Sequence, residues 1–151
     1  MINVLFVCHG NICRSPMAEY VCKDMVRRAG MTEKFRIASA ATSREELGNP
    51  LHRGTQAVLR QHGIPFAQGC ARQLTKAEYA AWDYLIGMDE QNLRNMQRLF
   101  GSDPEQKLFR LLDFTQAPRD VADPWYTGDF DTTYADVVRG CEAFLHFVQK
   151  K

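Results

Sequence analysis

Ile2-Asn3-Val4-Leu5-Phe6-Val7-Cys8-His9-Gly10-Asn11-Ile12-Cys13-Arg14-Ser15-Pro16 opens the chain and decides its architecture. Ile2 to Val7 is a near-continuous apolar run, the pattern of a strand buried on both faces in a parallel sheet. A glycine-containing turn follows, then Ser15-Pro16, which suits the N-cap and N1 positions of a helix. Ala18, Val21, Cys22, Met25, Val26 and Ala29 form one apolar stripe at helical spacing, and Gly30 ends it. The chain therefore begins strand, loop, helix.

Working outward, the pattern predicts a short strand near 35–39 and a loop around Gly48-Asn49-Pro50. Helices follow at about 51–61 and 75–81, then a buried strand at 84–88. Asp89 is read as the cap of a helix to about Phe100, and Lys107 to Leu112 as a fourth strand. Tyr134, Val137, Val138, Cys141, Leu145 and Val148 give a last helix its stripe. Strands alternating with helices imply an α/β fold on a parallel sheet. No internal repeat, low-complexity tract or linker divides it, so residues 1–151 are read as a single domain.

The 151 residues are 45% hydrophobic, enough for a real core. Nineteen basic against 18 acidic residues leave a formal charge of +1, which excludes a global field toward nucleic acid or an anionic membrane. The first residues lack a basic n-region and the apolar run is too short for a signal peptide or a membrane span, so the expected location is the cytoplasm. Five irregularly spaced cysteines without a C-x-x-C pair argue against a disulfide framework and against zinc.

Cys8 to Ser15 carries the chemistry, as a C-x5-R-S pattern between a buried strand and a helix start. A second C-x5-R, Cys22 to Arg28, lies within the first helix with Cys22 on the apolar stripe, so the spacing alone means nothing and Cys22 is read as a core thiol. In the first copy, a loop entering a helix N-terminus turns backbone N–H groups inward, a nest for a dianionic phosphate built from His9, Gly10, Asn11, Ile12, Cys13, Arg14 and Ser15. Gly10 permits a tight backbone, and Asn11 tolerates a left-handed conformation and can bond its neighbours. A thiol at the base of such a nest is a thiolate, since helix-terminus and guanidinium environments lower thiol pKa values to roughly 3.5–7.5. Arg14 offers a planar fork for two phosphate oxygens, and Ser15 can hydrogen-bond the Cys8 sulfur.

Transfer of a phosphoryl group to sulfur expels an alkoxide or phenoxide, so a carboxylic acid is needed. Of two Asp-Pro pairs, Asp103-Pro104-Glu105 reads as a turn or helix start. Asp123-Pro124-Trp125-Tyr126-Thr127-Gly128 lies in a long polar connection, with aromatics a solvated turn does not need. Asp123 is therefore the expected acid, kept protonated by the like charge of phosphate and thiolate, then base toward water. Trp125 and Tyr126 are expected at the pocket mouth. Cys13, in the same loop as Cys8, could close a Cys8–Cys13 disulfide on oxidation.

From the loop, Ser39-Ala40-Ala41-Thr42, Ala71-Arg72-Gln73, Met88-Asp89-Glu90 and Asp123-Pro124, the chain resembles the low-molecular-weight protein tyrosine phosphatases over essentially its whole length. The resemblance implies a four-stranded parallel sheet in order 2-1-3-4, flanked by helices in three layers, with the phosphate loop after strand 1. It implies hydrolysis of phosphotyrosine in a protein or peptide, and of small aryl phosphates, through a phosphocysteine on Cys8. No metal or cofactor is implied, nor any nucleic-acid or membrane partner, and the expected state is a monomer or weak dimer. The resemblance also implies an Asn11–Ser39 hydrogen bond supporting the loop. The chain departs from the pattern in four places. Glu45 stands where many members carry an aromatic rim residue, Trp125 replaces the first of a tyrosine pair, a loop-supporting histidine is replaced near Gly69, and His9 stands where leucine is common.

Two relatives of the family compete. Thiol-dependent arsenate reductases share the fold but need two relay cysteines, and Gly87-Met88-Asp89-Glu90-Gln91-Asn92-Leu93 offers none. Protein arginine phosphatases resemble the chain but carry threonine where Ile12 stands. An apolar Ile12 suits an aromatic ester better than a phosphoguanidinium, whose donors it would leave unpaired.

Overall fold

Strand β1 (Ile2–Cys8) lies at the centre of a four-stranded sheet with β2 (Phe35–Ala41), β3 (Tyr84–Gly87) and β4 (Leu108–Arg110), in the order β2-β1-β3-β4. The computed structural model describes residues 1–150; the final residue of the expected domain, 151, lies outside the described residues. All pairings are parallel, with Cys8 opposite Ala41 and Val7 opposite Gly87. The apolar run of β1 is continuous because both faces are covered. Val4 and Phe6 face a core shared with helices α1 (Arg14–Arg28) and α6 (Phe130–Gln149), whereas Leu5 and Val7 face Leu85, Trp82 and Met96 of the opposite layer. Val4, Leu5, Phe6 and Val7 are wholly buried, each worth roughly 1.5–3 kcal/mol of transfer free energy. Among the described residues, no helix is long and apolar enough to cross a membrane.

Local chemistry moves several of the expected boundaries. α1 begins two residues early, at Arg14 with Cys13 as N-cap, and Ser15 is not the cap. The Ser15 hydroxyl is turned instead to the Cys8 sulfur, 3.0 Å away, and Pro16 falls at the third helical position, where its missing N–H is one of the first-turn orphans. β4 is shorter than the run 107–112. Leu111–Phe114 winds into a 3-10 turn, with Asp113 taking the Arg110 backbone N–H and side chain, so Leu111 and Leu112 are buried without joining the sheet. The helix expected over 75–81 reduces to α3 (Glu78–Ala81), and α2 covers Arg53–Gln61 with His52 as its cap. Asp89 caps α4 (Glu90–Phe100) as expected, in a reciprocal box with Asn92.

β1 turns into α1 at the carboxyl edge of the sheet, beside the C-terminal ends of β2 and β3. Ligands gather at that edge in open α/β sheets. The connection after β4 returns there, fastened by the Val121 N–H donating to the Met88 carbonyl at 2.9 Å.

Candidate active site

The loop from Cys8 to Arg14 wraps the Cys8 sulfur. Backbone N–H groups of Asn11 and Ser15 approach Sγ at 3.3 and 3.4 Å, and the Ser15 hydroxyl at 3.0 Å. The tight turn centres on Asn11, whose φ of +60° is in the left-handed region that asparagine tolerates. Gly10 serves a different need, since a Cβ there would lie 3.2 Å from Glu46 Cγ. Behind the loop, Asn11 Nδ2 donates to Ser15 Oγ at 2.8 Å and to Ser39 Oγ at 2.9 Å. Asn11, Ser15 and Ser39, the three residues expected to support the loop, are thus joined by hydrogen bonds behind it.

Arg14 is buried at the floor of the pocket. Its Nη1 donates to Asp89 Oδ2 at 2.7 Å and to the Val121 carbonyl at 2.8 Å, and Nη2 lies 3.5 Å from Asp123 Oδ2. Asp89 thus has two tasks, with Oδ1 capping α4 through the Asn92 N–H at 2.8 Å and Oδ2 steadying the guanidinium. Burial pulls the Arg14 pKa down, but the Cys8 sulfur, Asp89 and Asp123 outweigh it, and the pKa rises. The guanidinium keeps its charge for an anion.

Asp123 stands across the pocket as the N-cap of a one-turn helix, α5 (Pro124–Thr127), with Oδ1 accepting from the Trp125 N–H at 3.0 Å. The polar connection expected there is locally helical, because Asp-Pro supplies both a cap and a pre-set N1 residue. Trp125 is held edge-on to the His52 ring at 5.6 Å, and His52 stacks on Phe130 at 5.0 Å. The His52 backbone N–H in turn donates to the Ile12 carbonyl at 2.9 Å, tying the aromatic wall to the loop.

These groups enclose a cavity of about 90 Å³, with Cys8 and Arg14 inside and Ile12, Glu45, Glu46, Asp123, Trp125 and Tyr126 around it. Glu45 is on the rim, where His9 Nε2 lies 2.9 Å from its Oε2. The side chain of His9 is a rim group that faces Glu45. Cys13 is buried beside Cys8, and burial, then the charges of Cys8 and Asp123, push its pKa up to about 12. All five cysteines are free, and Cys22 is fully buried in the core, as its apolar stripe implied. Among the described residues no group of three or more His, Cys, Asp or Glu could hold a metal ion.

Sequence reasoning missed the partners that orient the machinery. Asp89 is read as a helix cap and within the Met88-Asp89-Glu90 stretch, with no place in the pocket, although its position after β3 puts it at the same sheet edge as Cys8. Glu46, Glu19 and the Val121 carbonyl carried no signal of their own.

Fold and site together place a cysteine thiol, a guanidinium and a carboxylate in one loop-built pocket. A family model, Low molecular weight phosphotyrosine protein phosphatase, matches residues 3–151. The low molecular weight protein-tyrosine-phosphatase YfkJ of Bacillus subtilis (strain 168) is 40% identical over 153 residues, covering 100% of this chain and 98% of that one. The crystal structure of YfkJ aligns with a TM-score of 0.96 at 41% identity, over 99% of this chain and 96% of that chain. The Homo sapiens low molecular weight phosphotyrosine protein phosphatase is 42% identical over 159 residues, covering 95% of this chain and 93% of its own length. The crystal structure of DARP, a Drosophila arginine phosphatase, aligns with a TM-score of 0.85 at 28% identity, covering 96% of each chain. The chain belongs to the low molecular weight phosphotyrosine protein phosphatase family.

Proposed function

We propose that the enzyme hydrolyses phosphotyrosine in proteins, and small aryl phosphates, by double displacement at Cys8. The Cys8 sulfur attacks phosphorus and forms the S–P bond as the aryl O–P bond breaks, and Asp123 gives its proton to the departing phenoxide. Asp123 then takes a proton from water, which attacks phosphorus; the S–P bond breaks, and inorganic phosphate leaves with the thiolate restored. Arg14 and the inward N–H groups hold the equatorial oxygens through both steps. The observation that carries this reading is the sulfur ringed by donors at 3.0–3.4 Å, with Arg14 beside it and Asp123 reaching Arg14 from the opposite wall.

The aromatic wall favours an aryl leaving group, with Trp125 exposed at the mouth and Ile12 buried in the same lining. The acidic pair Glu45 and Glu46 at that mouth favours the second reading, a phosphoguanidinium substrate, as the likeness to the Drosophila arginine phosphatase does. Arsenate reduction is the weakest alternative. Of the cysteines beyond the loop, Cys22 and Cys141 are buried in the α1–α6 core, and Cys70 does not line the pocket.

We also propose reversible oxidative control. A peroxide converts Cys8 to a sulfenic acid; the Cys13 thiolate then attacks that sulfur, forming the S–S bond and expelling hydroxide. Oxidation removes the Cys8 charge, one of the influences that keep the Cys13 thiol protonated.

The test assays the purified chain and Cys8→Ser under reducing conditions with EDTA on p-nitrophenyl phosphate, a phosphotyrosine peptide and phosphoarginine. Turnover of the first two, abolished by the substitution, supports the reading. Preference for phosphoarginine transfers it to the second reading, and no turnover on any substrate removes it.

A further inference from the structure

An unbroken line of hydrogen bonds runs from Glu19, on the second turn of α1, to the nucleophile. Glu19 Oε1 accepts from the Ser39 hydroxyl at 2.5 Å, Ser39 Oγ accepts from Asn11 Nδ2 at 2.9 Å, and Asn11 Nδ2 donates to Ser15 Oγ at 2.8 Å. Ser15 Oγ then lies 3.0 Å from Cys8 Sγ. The direction of the line matters because Ser15 helps the sulfur only as a donor to it.

Two groups fix that direction. The Arg72 backbone N–H, which can only donate, points at Asn11 Oδ1 at 3.2 Å and so turns the amide nitrogen toward the two serines. Each serine therefore receives a hydrogen from Asn11 and must send its own elsewhere. Ser39 sends its proton to the Glu19 carboxylate, which is acceptor-only while ionised, and Lys23 Nζ holds the other carboxylate oxygen at 2.6 Å. Ser15 is left with one acceptor, the Cys8 sulfur. Without Glu19, the Ser39 hydroxyl would turn toward Asn11 and draw its amide oxygen round, against the Arg72 N–H. Ser15 would then have an alternative acceptor.

We infer that Glu19 is a positioning residue, setting the polarity of the Glu19–Ser39–Asn11–Ser15 line so that Ser15 donates to Cys8 when sulfur leaves phosphorus. The inference rests on the phosphocysteine reading above and adds to it a residue that touches neither substrate nor sulfur. Its effect concentrates in the second displacement, where negative charge returns to sulfur and a donor is worth most.

A separate cavity of about 200 Å³ lies behind the loop, lined by Asn11, Glu19, Tyr20, Ser39 and Arg72 among others. It gives a direct test, because a small carboxylate can enter where the Glu19 side chain is cut away.

The experiment measures steady-state and stopped-flow hydrolysis of p-nitrophenyl phosphate by the full chain, Glu19→Ala and Glu19→Gln, with and without formate. Glu19→Ala should lower kcat about ten-fold, through slower breakdown of the phosphocysteine, and lower kcat/KM less. Formate should restore part of the lost kcat in Glu19→Ala, but not in wild type or in Glu19→Ala/Ser39→Ala. Glu19→Gln keeps an acceptor oxygen and should stay within about three-fold of wild type. An unchanged kcat in Glu19→Ala would overturn the inference. So would an equal loss in kcat and kcat/KM without formate rescue, or a Glu19→Gln variant as impaired as the alanine. A wild-type chain that forms no phosphocysteine would instead remove the parent reading.

Discussion

Arg14 and Asp89 meet at 2.7 Å between Nη1 and Oδ2, so the guanidinium on the pocket floor is fastened to the N-cap of α4. The pair is nearly enclosed, with side-chain exposures of 3% and 20%. Asp89→Asn retains an oxygen for the Asn92 cap but weakens the bond to Arg14. It should lower kcat/KM for p-nitrophenyl phosphate about ten-fold or more, the scale of one hydrogen bond to a charged group. Thermal unfolding should move little. Unchanged kinetics would mean that the Val121 carbonyl alone orients the arginine.

Cys13 makes stability depend on pH at the alkaline end. Its thiol pKa is raised from 9.0 to about 12 by burial first and by Cys8 and Asp123 next. Between those values the folded chain binds more protons than the unfolded chain, so stability falls as pH rises. The contribution is fully present below pH 9 and is lost as pH passes from 9 toward 12. Urea unfolding of reduced wild type and Cys13→Ser should run parallel up to about pH 9 and converge or cross above it. Parallel curves throughout would contradict the shift.

Glu45 and Glu46 put two carboxylates at the pocket mouth, with His9 beside Glu45. Phosphotyrosine peptides with lysine or arginine next to the phosphotyrosine should show a KM about three-fold below peptides with aspartate there, at low salt. Glu45→Gln/Glu46→Gln should flatten that ratio, and so should 0.5 M salt, roughly a Debye length of 4 Å. A preference that survives both treatments would place selectivity elsewhere.

Gly140 lets α6 lie directly on the core. A Cβ there would fall 2.4 Å from Leu111 Cγ, and Leu111 is fully buried. Overpacking costs about 1–3 kcal/mol, and the gain in helix propensity on Gly→Ala offsets up to about 1 kcal/mol of it. Gly140→Ala should therefore lower Tm by roughly 2–8 °C in a calorimetric scan. A rise in Tm would show that Leu111 yields without loss.

The sequence was most legible where one short segment carries its own instructions. The run Ile2–Val7 and the loop after it led to the parallel sheet, its strand order by resemblance, and the residues Cys8, Arg14 and Asp123 that line one pocket. Periodicity failed at Leu111 and Leu112, because full burial looks alike in a strand and in a 3-10 turn packed beneath a helix. Ser15 was misread as a cap because its type suits that position, while the sulfur seven residues earlier claims its hydroxyl. The Arg14–Asp89 and Ser39–Glu19 bonds span 75 and 20 residues, and no local pattern records which side chains the sheet order brings face to face.

The parts of the pocket also have an order in time. Cys8 and Arg14 are made early, whereas Asp123 lies 109 residues after Arg14, in a segment that docks on the end of β3 through Val121 and Met88. At about 5–20 residues per second, a ribosome takes roughly 5–20 s to travel between them. Throughout that interval the growing polypeptide carries the Cys8 loop without Asp123 opposite it, so the pocket is completed only once translation has passed the later segment.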